Sequence, residues 1–266
     1  MKPTLKFLSL FTLVLFAIAA CGGPSASKGQ VYSASGQSLE LCEPDGPVRK
    51  TGLIFIHGGG FSSGDRSQML GYCKLLAQGG FTSATISYRL TSQGHAYPAA
   101  LEDVKSAVKW MRGNAGSLGI DSGKIVLIGY SAGATLALSA GLSDTNIAGI
   151  VSVAGISDFA VARAETPHAQ LRRDIDAYLK STPARQASPI SIVDRHDPPV
   201  FLFHGESDTL VPLGQSVSMA RALKTAGVTV LFKTFKGAGH EIMLPNKHLK
   251  TLLGDMTRFL VAIDES

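Results

Sequence analysis

Ile125-Val-Leu-Ile-Gly-Tyr-Ser131-Ala-Gly133-Ala-Thr-Leu-Ala-Leu138 is the stretch on which the fold turns. Four aliphatic residues, Ile125 to Ile128, read as a short strand with no polar alternation, as a parallel strand covered on both faces requires. Small and aliphatic residues from Ala132 to Leu142 read as a helix. Between them Ser131 stands with a glycine two positions to either side. Such a strand–turn–helix bends so sharply that a side chain at either glycine would strike neighbouring backbone, while the serine hydroxyl projects at the head of the sheet. In a chain with 29 glycines a Gly-x-Ser-x-Gly string says little alone. Its setting between strand and helix gives it weight.

The same alternation runs outward in both directions. Leu53–Ile56, Thr82–Ser87, Ile147–Val153, Val200–Phe203 and Val228–Phe232 read as further strands, and helical patterns fall near 66–78, 98–113, 214–226 and 246–262. Gln30-Val-Tyr-Ser33 and Ser38-Leu-Glu-Leu-Cys42 read as a hairpin turning at Gly36. Strands alternating with helices imply right-handed crossovers and a mostly parallel α/β sheet, with ligand sites beyond the carboxyl ends of the strands. One segment, about 158–199, is longer than an ordinary connection, polar, and rich in Arg, Ala and Pro. Sequence leaves open whether it is a lid or a helical excursion packed on the rim.

Chemistry-bearing residues gather at those carboxyl ends. His57-Gly-Gly-Gly-Phe61 follows the strand ending at Ile56. An oxyanion needs backbone N–H donors converging on one point, and residues without Cβ let the chain present them. Gly59 and Gly60, with the amide of Ala132, are the expected donors; His57 is assigned to orienting the loop. A serine hydroxyl needs a base, and the base needs a carboxylate to hold its tautomer. Asp208, in His204-Gly-Glu-Ser-Asp208-Thr-Leu-Val-Pro212, and His240, in Gly237-Ala-Gly-His240, each follow a strand. Glu206 competes with Asp208, and Asp208 is preferred because it lies further beyond the strand end.

Taken together, the HGGGF string, Ser87-Tyr-Arg-Leu90, Tyr97-Pro-Ala-Ala-Leu-Glu-Asp103, GYSAG, HGESDTLVP and GAGH resemble bacterial HGGG-type carboxylesterases of the α/β-hydrolase fold, particularly feruloyl-esterase-like and acetyl-esterase-like members. The resemblance runs from about Leu53 to the C-terminus. It implies an eight-stranded sheet with helices on both faces, no metal, no organic cofactor, and a serine mechanism through an acyl-enzyme on a small-molecule ester. Short to modest acyl groups are expected because no large separate lid domain is read in the sequence, with the segment from Asp158 left open. Ser87 departs from the pattern, since many relatives carry Asp there, which puts the local ion pairs in question. Two other readings compete. Prolyl-oligopeptidase-like peptidases share the serine turn and the Ser–Asp–His order, but usually add a domain not expected here. A non-catalytic surface binding protein is the other, and a complete triad argues against it.

The first twenty residues, MKPTLKFLSLFTLVLFAIAA, have a positive start, an apolar run and small residues before Cys21. They read as an export signal, too short for a lone spanning helix. Ile18-Ala-Ala-Cys21 resembles a bacterial lipobox, which implies lipidation of Cys21, a tether over 21–29, a membrane-anchored protein of the cell envelope, and a hydrolase domain over 30–266. The formal net charge is +5, but Lys2 and Lys6 belong to the acid-free leader. Elsewhere basic and acidic residues are interspersed, so no nucleic-acid partner is expected. Cys42 and Cys73 remain; an exported protein permits a disulfide between them, and sequence leaves it open against two buried thiols. Oligomeric state is equally open.

Overall fold

A computed structural model describes residues 29–266; the leader, Cys21 and all but the end of the tether lie outside that range. Among the described residues eight strands form one sheet: β1 (Gln30–Val31), β2 (Ser38–Cys42), β3 (Gly52–Ile56), β4 (Ser83–Ile86), β5 (Ile125–Tyr130), β6 (Ile147–Val153), β7 (Val200–Gly205) and β8 (Val230–Phe235). Their spatial order is β1-β2-β4-β3-β5-β6-β7-β8. The pairings of β1 with β2 and of β2 with β4 are antiparallel; from β4 across to β8 every pairing is parallel. Leu39 pairs with both Gln30 and Ile86, so the chain enters the sheet on the outer edge, level with the carboxyl end of β4.

The period of two along each strand divides the core between the faces. Ile54, Ile56, Ile125, Leu127, Ile150 and Leu202 pack under α2 (Ala99–Gly113), α3 (Ala132–Leu142) and α7 (Gly214–Ala226). Leu53, Phe55, Val126, Ile128, Val151, Val153, Phe201 and Phe203 pack under α1 (Leu70–Gln78) and α8 (Leu249–Glu265). Helix α8 shows how sequence fixes a face: Leu252, Met256, Phe259, Leu260 and Ile263 fall on one stripe and are all buried. Burying each such side chain contributes about 1.5–3 kcal/mol. Helix α3 has no stripe because all of its residues are buried. It packs on β5 and β6 at the centre of the sheet, with α2 and the Pro189–Ile192 turn also against it, which is why its composition is small and aliphatic throughout.

Two features left open by sequence take definite form. Cys42, at the end of β2, and Cys73, in α1, are joined by a disulfide with Cα atoms 5.8 Å apart. The segment between β6 and β7 consists of α4 (Phe159–Glu165), α5 (Ala169–Leu179), α6 (Ala184–Ala187) and a single turn at Pro189–Ile192. It is docked on the core by buried Phe159, Ile175, Tyr178 and Leu179. Some boundaries move from those expected. Residues 66–69 form a separate 3₁₀ turn, capped by the Asp65 carboxylate accepting from the Ser67 amide, before α1 begins. Strand β8 starts at Val230, because the Val228 amide donates to the Leu223 carbonyl and still belongs to the end of α7. Helix α8 starts at Leu249, since the Asn246 side chain spends its amide on the carbonyls of Glu241 and Leu244.

The ion pairs of Arg89 are complete beside Ser87, whereas buried Arg66 Nε and Glu40 Oε2 have no hydrogen-bond partner among the described residues. Arg89 reaches buried Asp103 with Nε at 2.9 Å, and Asp103 also accepts from the Arg89 amide and the Ser35 hydroxyl. The Ser87 hydroxyl accepts from the Arg66 amide, while the Arg66 guanidinium lies 3.6 Å from Glu40 on β2. Among the described residues no helix is long and apolar enough to cross a membrane.

Candidate active site

Ser131 sits between β5 and α3 at φ 54°, ψ −122°. A non-glycine residue held there costs about 1–3 kcal/mol and persists only when its surroundings over-determine it. They do: the Ser131 amide donates to the Val153 carbonyl at 2.8 Å, and the two glycines allow contacts no other residue would. A Cβ on Gly129 would lie 2.2 Å from the Gly133 carbonyl oxygen, and one on Gly133 would lie 2.2 Å from that of Ile56. Gly133 thus lets the end of β3, and the glycine loop after it, lie directly against the start of α3.

The Ser131 hydroxyl donates to His240 Nε2 at 2.9 Å, and His240 Nδ1–H donates to Asp208 Oδ2 at 2.7 Å. Asp208 Oδ1 accepts from the Leu210 and Val211 amides. Burial pushes the Asp208 carboxyl up, but the His204 imidazole beside it, the hydrogen bond and charge of His240, and the Val211 amide together hold it well below the usual carboxylate range. Glu206 lies apart from this line; its carboxylate accepts from Thr234 on β8.

Gly59 and Gly60 adopt φ 107° and 59°. A Cβ on Gly59 would lie 2.1 Å from the Ser63 carbonyl oxygen, and one on Gly60 would lie 2.6 Å from Asp174 Oδ2 on α5. The amides of Gly59, Gly60 and Ala132 donate to no described residue. Ala132 is also the first residue of α3, where the helix dipole is positive. Beneath the loop, fully buried His57 stacks on Tyr88 at 4.2 Å between ring centroids, and its Nδ1–H donates to the Gly58 carbonyl at 2.7 Å. Burial lowers the His57 pKa, and the Gly58 carbonyl offsets this only in part. His57 takes no part in the serine–histidine line and orients the loop, alongside the Tyr88 hydroxyl, which donates to the His57 carbonyl.

Sequence reasoning missed the supports of His240 and of the loops. The Tyr130 hydroxyl donates to the His240 carbonyl at 3.0 Å, and the Tyr72 hydroxyl donates to that of Met243. A tyrosine inside the Gly-x-Ser-x-Gly string gives no signal of it, because the partner lies 110 residues away. The segment between β6 and β7 touches both loops flanking the serine. Tyr178 stacks on Phe61 at 3.9 Å, and the Ser62 hydroxyl donates to Asp174; the Thr166 hydroxyl donates to the Leu210 carbonyl, close in sequence to Asp208.

A mostly parallel eight-stranded sheet, with a serine turn after β5 and its acid and histidine after β7 and β8, defines an α/β-hydrolase fold. Residues 40–223 match the BD-FAE family model, and the chain belongs to that family. It is 32% identical to esterase LipC of Mycobacterium tuberculosis, over 71% of this chain and 52% of that protein. Esterase LipQ of the same organism is 31% identical, over 71% and 49%. The chain therefore spans about half the length of these two relatives. Among solved structures, Thermogutta terrifontis esterase 2 phosphonylated by sarin superposes with a TM-score of 0.80 at 25% identity, covering 91% of this chain and 96% of that one. The same esterase has been solved with butyrate bound, at a TM-score of 0.77.

Proposed function

We propose that this chain hydrolyses carboxylic esters through an acyl-enzyme on Ser131, with His240 as general base and acid, Asp208 as its orienting carboxylate, and the amides of Gly59, Gly60 and Ala132 as the oxyanion hole. The observation that carries the proposal is the unbroken line from Ser131 Oγ through His240 to Asp208, at 2.9 and 2.7 Å, beside three N–H groups without partners among the described residues. His240 Nε2 takes the Ser131 proton as Oγ bonds to the ester carbonyl carbon, and the carbonyl oxygen gathers its negative charge against the amides. The tetrahedral centre collapses, the carbon–oxygen bond to the alcohol breaks, and His240 gives that alcohol its proton. Water then repeats the sequence and releases the carboxylic acid. The butyrate found in the Thermogutta esterase supports short to modest acyl groups for this chain.

Hydrolysis of an aryl-ester series of rising acyl length, run beside aminoacyl anilides, tests the reading. We expect turnover of the shorter esters and little of the anilides. Ser131→Ala and His240→Ala should each remove nearly all turnover, and Ser131→Ala should also abolish fluorophosphonate labelling, with the protein still folded. A folded Ser131→Ala protein that still takes the label would overturn the nucleophile.

We further infer that residues 1–20 are removed on export and that Cys21 carries lipid, placing the domain on a membrane of the cell envelope. The support is the sequence alone, Ile18-Ala-Ala-Cys21 after an apolar run. Two or more acyl chains make such an anchor stable. Intact-mass analysis of the protein from its membrane fraction should show the added lipid, and a bare mature mass would refute it.

A further inference from the structure

His204 stands near the end of β7, fully buried, after the apolar run Val200–Phe203. Most buried side-chain polar atoms are hydrogen-bonded, and both ring nitrogens of His204 have partners. Its Nε2 lies 2.9 Å from the Val211 carbonyl oxygen, which can only accept, so Nε2 carries the proton. Its Nδ1 lies 2.7 Å from the Ser216 hydroxyl on α7, a group able to donate to the Nδ1 lone pair of that tautomer. Asp208 Oδ2 lies 3.3 Å from the same Nε2, beside the N–H bond that points to Val211.

We propose that His204 is a positioning residue for Asp208: its Nε2–H grips the Val211 carbonyl and flanks the Asp208 carboxylate, and the Ser216 hydroxyl fixes the tautomer that allows this. The role rests on reading Ser131, His240 and Asp208 as the triad. Val211 is held at both ends, its amide by Asp208 Oδ1 at 2.9 Å and its carbonyl by His204. Asp208 Oδ1 is occupied by two amides, so Oδ2 is left for His240, and it cannot swing away without pulling Val211 off His204. An N–H dipole alongside the carboxylate also favours its charged form, the form that stabilises the His240 imidazolium in the transition state. The hold extends to α7, where the neighbouring Gln215 side chain accepts from the amides of Ser157 and Asp158 at the start of the helical excursion.

Two amide substitutions separate this from a merely structural role. Glutamine places its side-chain nitrogen about where Nε2 stands and can keep the Val211 bond; asparagine reaches only as far as Nδ1 and cannot. At matched Tm, we expect His204→Gln to keep kcat within about threefold of wild type, and His204→Asn to lower it about tenfold or more with KM within about twofold. Equal kcat in the two variants, or a loss carried by KM, would overturn the proposal. Should the asparagine variant fail to fold, Ser216→Ala decides: a fall in kcat of about threefold or more at constant KM is expected, and unchanged kcat overturns it. Fluorophosphonate labelling of the wild type keeps the two levels apart. A wild type that takes no label overturns the triad and His204's role with it, whereas a labelled wild type whose glutamine and asparagine variants turn over alike overturns His204's role alone.

Discussion

Glu206 and Asp208 stand two residues apart after β7, and their partners differ: Thr234 on the neighbouring strand for one, His240 for the other. Replacing Asp208 by Asn keeps the shape but presents an amide to Nδ1, favouring the wrong imidazole tautomer. We expect Asp208→Asn to lower kcat by about 10²-fold or more and Glu206→Gln by less than about tenfold, measured on one aryl ester in variants of equal Tm. The reverse ranking would move the acid to Glu206. Acidity offers a second readout. Asp208 titrates below its unfolded value in the folded protein, so its contribution to stability is fully present above the unfolded carboxylate range and is lost as pH falls through that range toward the lower folded value. Asp208→Asn should therefore flatten the acid side of the stability curve measured by denaturant unfolding.

At the scale of elements, the bridge between Cys42 and Cys73 ties β2 to α1 next to the start of β4, opposite the strand end that carries the active-site loops, for Cys42 pairs with Ser83. It closes a loop of 31 residues, and chain-entropy arguments give such a closure about 3–4 kcal/mol. Cys42→Ser with Cys73→Ser should lower Tm by about 5–10 °C while leaving kcat at 25 °C within about twofold. Unchanged Tm would mean that the bridge constrains little in the unfolded chain. The excursion between β6 and β7 carries a similar expectation. Ile175, Tyr178 and Leu179 are buried and Tyr178 stacks on Phe61, so the amides at the end of α5 should exchange hydrogen slowly, like those of the sheet; fast exchange there would mark a lid.

These elements also show what sequence could carry. Strands β5 and β6 and helices α3 and α8 are readable because burial on both faces, or a clear stripe, leaves an unbroken apolar signal. The bounds of strand β8 are harder to read because it is the sheet's edge, where Leu231 and Lys233 face solvent and the pattern runs into polar residues. In the site, Ser131, Asp208 and His240 announce themselves by glycines and by position after strands. His204 and Tyr130 do not. Their roles exist only through partners brought close by the fold, and a histidine or tyrosine beside a motif carries no local mark of that.

On the scale of the whole molecule, the anchor proposed at Cys21 makes its own prediction. The lipidated protein should cleave a soluble aryl ester as fast as Cys21→Ser does, and should outpace that variant on the same ester embedded in vesicles. Equal rates on vesicles would leave the lipid no part in reaching substrate. The entry point of the chain gives this a length. Strand β1 joins the sheet level with the carboxyl end of β4, four strand spacings from β5, or about 19 Å from the serine turn. The nine residues from Cys21 to Gln30 span at most about 30 Å. A lipid at Cys21 would therefore act as a short leash, with Ser131 never straying more than roughly 50 Å from the bilayer surface, a radius within which esters shed from or displayed on that membrane are met before those of the bulk solution.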